Sequence, residues 1–219
     1  MNRYNRTTII IAMCLSLLAG FIDAVGFLHL QGSFVSFMSG NSTRFAVNAA
    51  GQDWAQAGKV GAIILSFVAG VSVGTAIAHF AGRTKQAFRV LCAVTILLAL
   101  AAAAYESGYA FIAMLILAHA MGAENATFQR DGDIGIGLTY MTGTLVKFAQ
   151  RLTGGFFGRP WAECLPYLFL WTGLICGAIC GAVMFHVMGL QSIWVAVGWC
   201  ATVAGLVRYF DAKGLFVAG

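Results

Sequence analysis

Residues 164–207 run for 44 residues without an Asp, Glu, Lys or Arg. Apolar runs of about 18 residues or more read as membrane-spanning helices, and this one is long enough for two. A second uncharged run covers residues 60–82. Charged residues make up 10% of the chain, against roughly 25% in soluble domains. The sequence is that of a polytopic membrane protein. The apolar run at 8–30 is longer than a signal-peptide core, carries Asp23 and is followed by no small-residue cleavage site, so a retained first span is expected. The net charge of +5 lies in short caps between apolar runs. That is the distribution of membrane topology, and it argues against a nucleic-acid partner.

Six spans are expected, near residues 8–30, 60–80, 88–105, 109–128, 164–187 and 192–209. With a cytoplasmic amino terminus, eleven basic residues fall inside: Arg3, Arg6, Arg83, Lys85, Arg89, Arg130, Lys147, Arg151, Arg159, Arg208 and Lys213. Only Arg44 and Lys59 fall outside. This bias predicts that both termini are cytoplasmic.

A stretch at residues 34–46 has a second copy at 138–149, in register without a gap when Met38 is laid on Met141. Gly40 then meets Gly143, Arg44 meets Lys147 and Phe45 meets Phe148. Ser39 against Thr142 and Asn41 against Thr144 are polar for polar. The offset of 103 in 219 residues divides the chain into two repeats, 1–106 and 107–219. Three spans per repeat is an odd number, so the second repeat must enter the membrane from the opposite side. The expected architecture is all-α and integral to the membrane. Its six transmembrane helices form two inverted three-helix repeats, each with a broken or short half-helix at 34–50 and 138–152, as in many secondary transporters.

Two acids lie within spans. Asp23 is roughly 22 Å along its helix from the inner end, and Glu124 roughly 22–24 Å along its own from the outer end, at 1.5 Å per residue. The expectation is that they occupy mirrored depths. A central carboxylate costs about 2.5–3.5 kcal/mol to insert and usually faces a cavity or a partner. One reading makes the pair a proton or cation site; the other pairs each acid with Arg or a backbone carbonyl. Asn125 beside Glu124 would bond a substrate or a helix carbonyl. His119, on the same helix, is a candidate proton relay or a core histidine.

The signatures suit broken helices. Gly40 and Gly143 permit unusual backbone conformations, and Asn41, Ser42, Thr142 and Thr144 are good N-caps for the segments 41–50 and 144–152. A half-helix beginning inside the membrane would present free N–H groups to an anion or polar oxygen. The alternative is a short interfacial helix. Candidate substrate or ion contacts are therefore Asp23, Met38, Ser39, Gly40, Asn41, Glu124, Asn125, Tyr140, Met141, Thr142, Gly143 and Thr144. Small residues at four-residue spacing, Ser66, Gly70, Gly74 and Ala78, then Gly173, Gly177 and Gly181, are explained by tight helix packing of spans two and five.

No nucleotide-binding loop, metal-ligand cluster or recognised catalytic spacing is present in the sequence. No cofactor or metal, no catalytic residue and no enzyme activity is expected. The six cysteines read as buried thiols packing as small hydrophobes.

Residues 20–27 (Gly-Phe-Ile-Asp-Ala-Val-Gly-Phe), 38–41 (Met-Ser-Gly-Asn), 123–126 (Ala-Glu-Asn-Ala) and 139–144 (Thr-Tyr-Met-Thr-Gly-Thr) resemble the YoaK family of bacterial membrane proteins. The resemblance covers nearly the whole chain. It implies a six-helix bacterial inner-membrane protein and supplies no biochemical activity. From the residues, the leading expectation is a secondary transporter of a small polar or anionic solute, with proton coupling through the two acids as one form of it. A passive channel and a membrane-embedded enzyme or structural bundle are the alternatives. The partners expected are the lipid bilayer, a small-molecule or ion substrate and, through exposed small-residue ridges, a second copy of the chain.

Overall fold

Among the described residues eight α-helices account for most of the chain in the computed structural model, which describes residues 5–82, 84–130 and 133–215, and only the backbone at 130, 133 and 134. Arg3, Arg83 and the side chain of Arg130, counted above among the inner cations, lie outside the described residues. In chain order the helices are α1 (Arg6–His29), α2 (Met38–Ala50), α3 (Trp54–Ala81), α4 (Gln86–Glu106), α5 (Ala110–Glu124), α6 (Met141–Gly155), α7 (Leu165–Met188) and α8 (Ile193–Ala212). Extended structure among the described residues is one antiparallel pair, β1 (Gln129–Arg130) with β2 (Asp133–Ile134).

Five apolar helical stretches have the length and composition to cross a bilayer: α1, α3, α4, Ala110–Phe128 around α5, and Trp161–Ala212. The last spans 52 residues and contains two helices, α7 and α8, joined by the 3-10 turn Gly189–Ser192. Gly189 takes a φ of 58°, which a side chain would strain. The long uncharged run is thus two helices with a glycine corner. Large apolar side chains point outward from the helices, Leu65 at 71% and Ile96 at 61% exposure among them. An apolar exterior of this kind fits a lipid bilayer and not water.

The helices approach closely where the small residues lie. A Cβ on Gly177 would collide with the Leu17 carbonyl, one on Gly181 with Phe21 and one on Gly20 with Leu174, so α1 and α7 meet backbone to backbone. The α3–α5 pair repeats the arrangement. Gly70 abuts the His119 carbonyl, Gly74 would put a Cβ 2.6 Å from the Ala123 carbonyl oxygen, and Gly122 abuts Phe67. Where the ridge has serine it bonds across the gap: Ser66 Oγ donates to the Leu115 carbonyl at 2.7 Å, and Ser16 Oγ to Leu170 at 2.8 Å. The ridges on spans two and five therefore serve close packing, but their partners are spans four and one. Lipid tails are as apolar as leucine, so association in lipid depends on such van der Waals contact.

The interior is lined by Leu15, Leu18, Ile22, Leu91, Leu98, Met114, Leu117 and Met121, all essentially inaccessible. Cys164 and Cys200 are buried as expected. Cys176 and Cys180 are exposed on the apolar exterior instead, where lipid accepts a thiol as readily as a protein core does.

Replacing Gly177 by Leu is expected to lower stability by at least ~3 kcal/mol, the top of the overpacking range, because backbone cannot yield as a side chain does. Gly198→Ala in α8, where a Cβ meets nothing within 4 Å, should instead be neutral or stabilising by up to ~1 kcal/mol. Thermal unfolding of the detergent-solubilised variants measures both.

Candidate functional site

After α1 the chain reverses sharply. Gln31 takes a φ of 52° and Gly32 one of 103°, and the Gly32 N–H donates back to the Phe27 carbonyl at 2.8 Å. Residues 33–37 then return along the last two turns of α1. This stretch has no helical bonds of its own, and its polar groups find partners in side chains. The Val35 and Ser36 N–H groups donate to Asp23 Oδ1 at 3.0 and 2.7 Å, and Ser36 Oγ donates to Asp23 Oδ2 at 2.6 Å. Gly26 makes room, since a Cβ there would sit 2.9 Å from Val35 Cγ1. Asn41 clamps the other end of the stretch: its Oδ1 accepts from the Phe34 N–H at 2.9 Å and its Nδ2 donates to the Phe34 carbonyl at 2.7 Å.

The second signature is held by a similar device. After α5 a 3-10 turn, Asn125–Phe128, leads into the β1–β2 hairpin, and residues 135–140 return past it. Thr139 Oγ1 donates to Asn125 Oδ1 at 3.1 Å, while Asn125 Nδ2 donates to the Met121 carbonyl at 2.9 Å. Gln86 at the start of α4 secures the turn, donating to the carbonyls of Ala126 and Gln129, both at 2.9 Å. Asn125 therefore meets Thr139 as Asp23 meets Ser36, through one side-chain bond, while Asp23 also accepts two backbone N–H groups. The mirrored-depth expectation paired Asp23 with Glu124, one residue from the amide that plays the corresponding part.

The short helices begin earlier than the cap rules suggest. Met38 opens α2 and Met141 opens α6; the residues before them, Phe37 and Tyr140, cap without any side-chain bond. Asn41, Thr142 and Thr144 lie inside the first turns. Thr144 Oγ1 donates back to the Tyr140 carbonyl at 3.2 Å, and Ser42 Oγ back to Met38 at 2.8 Å. The signature sequence, which reads as a cap, is helical because the preceding extended stretch is already pinned. Gly40 and Gly143 are not in the left-handed region; Gly40 instead accommodates the Phe37 ring, 2.6 Å from where its Cβ would stand.

These two helix starts share one cavity of about 160 Å³, walled by Ser36–Ser39, by Thr139–Gly143 and by Phe67 of α3. Of the candidate contacts, Met38, Ser39, Tyr140, Met141, Thr142 and Gly143 line it. Gly40, Asn41 and Thr144 do not, and Asn41 is fully buried with its amide committed to Phe34. No described residue bonds the N–H groups of Ser39, Gly40, Thr142 or Gly143, which lie in the first turns without intrahelical partners.

Larger hollows adjoin it, and two of them hold Asp23 and Asn125. One of about 610 Å³ lies between α1 and α7 and is almost wholly apolar, with Asp23, Phe27, Phe37 and Ala178 in its wall. The other, about 210 Å³ between α3 and the 3-10 turn that follows α5, is lined by Phe67, Val71, Thr75, Asn125, Gln129 and Tyr140.

Glu124 stands apart from all three. It is 0% exposed, and neither carboxyl oxygen has a hydrogen-bond partner among the described residues. Neither it nor Asp23 is salt-bridged: the described ion pairs are Arg151–Glu163 at 2.8 Å and Arg208–Asp211 at 3.9 Å. His119 has no side-chain hydrogen bond among the described residues and lines none of these cavities, so the relay has no geometric support. No cluster of three or more metal-ligating side chains occurs among the described residues.

Sequence reasoning missed Ser36, Thr139 and Phe67. Ser36 and Thr139 were within reach, being polar for polar at the same offset of 103 and two residues before each methionine. Phe67 gives no local signal; only the fold brings it there.

Asn41→Ala leaves two half-buried backbone groups of Phe34 unpaired, at about 1 kcal/mol each, the lower end of the range for unsatisfied groups. It should lower the melting temperature clearly, whereas Ser39→Ala, whose exposed hydroxyl makes no described bond, should not.

The family described as "Protein of unknown function (DUF1275)" matches residues 11–206. The UPF0700 transmembrane protein RA0705 of Rhizobium meliloti (strain 1021) is 34% identical over 194 residues, covering 89% of this chain and 83% of the relative. No solved structure matches the chain. The match over almost all of the described helices, with a transmembrane relative of the same length class, makes this chain a membrane protein of the DUF1275 family.

Proposed function

We propose that the protein is a secondary transporter of a small polar or anionic solute, held between two inverted repeats of three spans, residues 1–106 and 107–219. The observation that carries the reading is the cavity walled jointly by the two signature stretches. Helix starts with free N–H groups favour an anion or a polar oxygen. Transporters of inverted design place such broken elements at the repeat interface. The YoaK-like residues 38–41 and 139–144 are the ones that build this junction, and the corresponding setting is a bacterial inner membrane with both termini cytoplasmic.

Packing supports the inversion. Exchanging α1 with α5, α2 with α6, α3 with α7 and α4 with α8 turns the α1–α7 contact into α5–α3, α2–α3 into α6–α7 and α1–α8 into α5–α4. The α4–α8 contact maps onto itself. The glycine contacts follow the same exchange. Gly177 on Leu17 corresponds to Gly70 on His119, Gly181 on Phe21 to Gly74 on Ala123, and Gly20 on Leu174 to Gly122 on Phe67. The flanking hollows also correspond, Asp23 to Asn125 and Phe37 to Tyr140, but at about 610 against 210 Å³. Unequal volumes at exchanged positions are what one state of an alternating-access cycle requires. The larger hollow lies near the end of α1 that the charge bias puts outside.

Reporter fusions test the topology: a tag between Gly82 and Gln86 should report cytoplasmic, and an outside signal would overturn the inversion. The transport reading is tested by screening the purified protein for thermal stabilisation against small anions and polar metabolites, then measuring uptake of any stabilising compound into proteoliposomes. Saturable uptake is expected, reduced at least tenfold by Ser39→Trp or Thr142→Trp, which fill the shared cavity. Uptake that does not saturate would indicate a channel, and uptake indifferent to both tryptophans would remove the solute from this cavity.

A further inference from the structure

We propose that the coupling ion is a proton and that Glu124 alone seats it, with Asp23 serving to hold the first signature. This rests on the transporter reading above and names the ion for it. The exchange that relates α1 to α5 carries an offset of 102 residues, fixed by Gly20 with Gly122, Leu17 with His119 and Phe21 with Ala123. At that offset Asp23 corresponds to Asn125, and the two do corresponding work on Ser36 and Thr139. Glu124 corresponds to Ile22. Both are 0% exposed. An isoleucine meets the packing demand of this position, so a carboxyl in its place is not explained by packing. Nor is it explained by hydrogen bonding, since both oxygens are unpartnered while Asp23 accepts three bonds.

The surroundings decide which ion fits. On the helices packed against α5, the ionisable side chains that are at least partly buried are Cys14, Asp23 and His29 of α1 and Cys92 and Tyr105 of α4, with His119 on α5 itself; Arg89 of α4 is exposed. The titratable residues of α3, Lys59 and His79, are exposed, and the 3-10 turn after Glu124 offers Asn125 and Thr127, whose buried Oγ1 is itself unpartnered. No described cation forms an ion pair with the carboxyl. An ionised carboxylate in such a place costs several kcal/mol, whereas a neutral acid group fits. A metal cation would need several oxygens around it, about six to eight for calcium, and no group of three or more metal-ligating side chains occurs among the described residues. A proton needs only the carboxyl. Release is a simple transfer: when the interior opens to one side, the O–H bond of Glu124 breaks and water takes the proton. Rebinding from the other side restores the neutral group.

Infrared difference spectroscopy of the full-length protein in lipid, cycled between acid and alkaline buffer, tests this directly. A reversible carbonyl band of an unbonded carboxylic acid is expected. Glu124→Gln should remove it, Glu124→Asp should shift it and Asp23→Asn should leave it in place. A band that survives Glu124→Gln, or that Asp23→Asn abolishes, overturns the assignment. Exchanging choline chloride for sodium chloride should change neither the band nor the melting temperature. A sodium-dependent loss of the band in the wild type would make this a metal-cation seat and overturn the proton. Failure of the transport reading is seen separately, as wild-type liposomes without saturable uptake whatever the band does.

Discussion

Backbone-to-backbone contact between helices is the constraint on which the rest of this structure depends. In water a helix can be held by burying an apolar face, but in lipid that gain vanishes, and association depends on how closely two surfaces fit. Gly20, Gly173, Gly177 and Gly181 remove side chains at the α1–α7 seam, and Gly70, Gly74 and Gly122 do so between α3 and α5. Each seam positions the end of the helix from which a signature stretch departs. Were α1 to stand off from α7, Asp23 and the extended stretch it holds would move with it.

Those extended stretches are the second constraint. Irregular backbone at membrane depth is tolerated only where protein satisfies its polar groups. At the first signature Asp23 and Asn41 partner backbone groups of residues 34–36; ahead of the second, Gln86 partners the carbonyls of Ala126 and Gln129, and Asn125 holds the Thr139 side chain. Several polar residues that look like substrate ligands thus owe their presence to the backbone. Without a described partner are the first-turn N–H groups around the shared cavity, the carboxyl of Glu124 and a few other buried side-chain atoms, Thr127 Oγ1 among them.

Much of the fold was legible in the sequence. The apolar runs gave the long helices within a few residues, because uncharged length is itself the physical requirement. The duplicated signature marked the residues that meet at the cavity. Less legible was anything set by packing across the chain. The spacing of Gly70 and Gly74 announces a close neighbour without saying which, and α5 rather than α7 fills that seam. Asn41 carries the composition of a cap, yet the pinning of Phe34 starts the helix three residues earlier. Glu124 and Asp23 look equivalent as membrane acids. Only their neighbours separate them, one fully bonded and the other bare.

The seams also set an order of assembly. The main neighbour of α1 is α7, which begins at Leu165, and the main neighbour of α5 is α3. The glycine face of α1 therefore stays without its partner while well over a hundred further residues are synthesised and inserted. The first 106 residues cannot close on themselves, because the surface they offer is complementary to the second half. A gene split between the two halves would have to express both together, and the nascent chain must keep a bare, backbone-deep groove in lipid until its last quarter arrives.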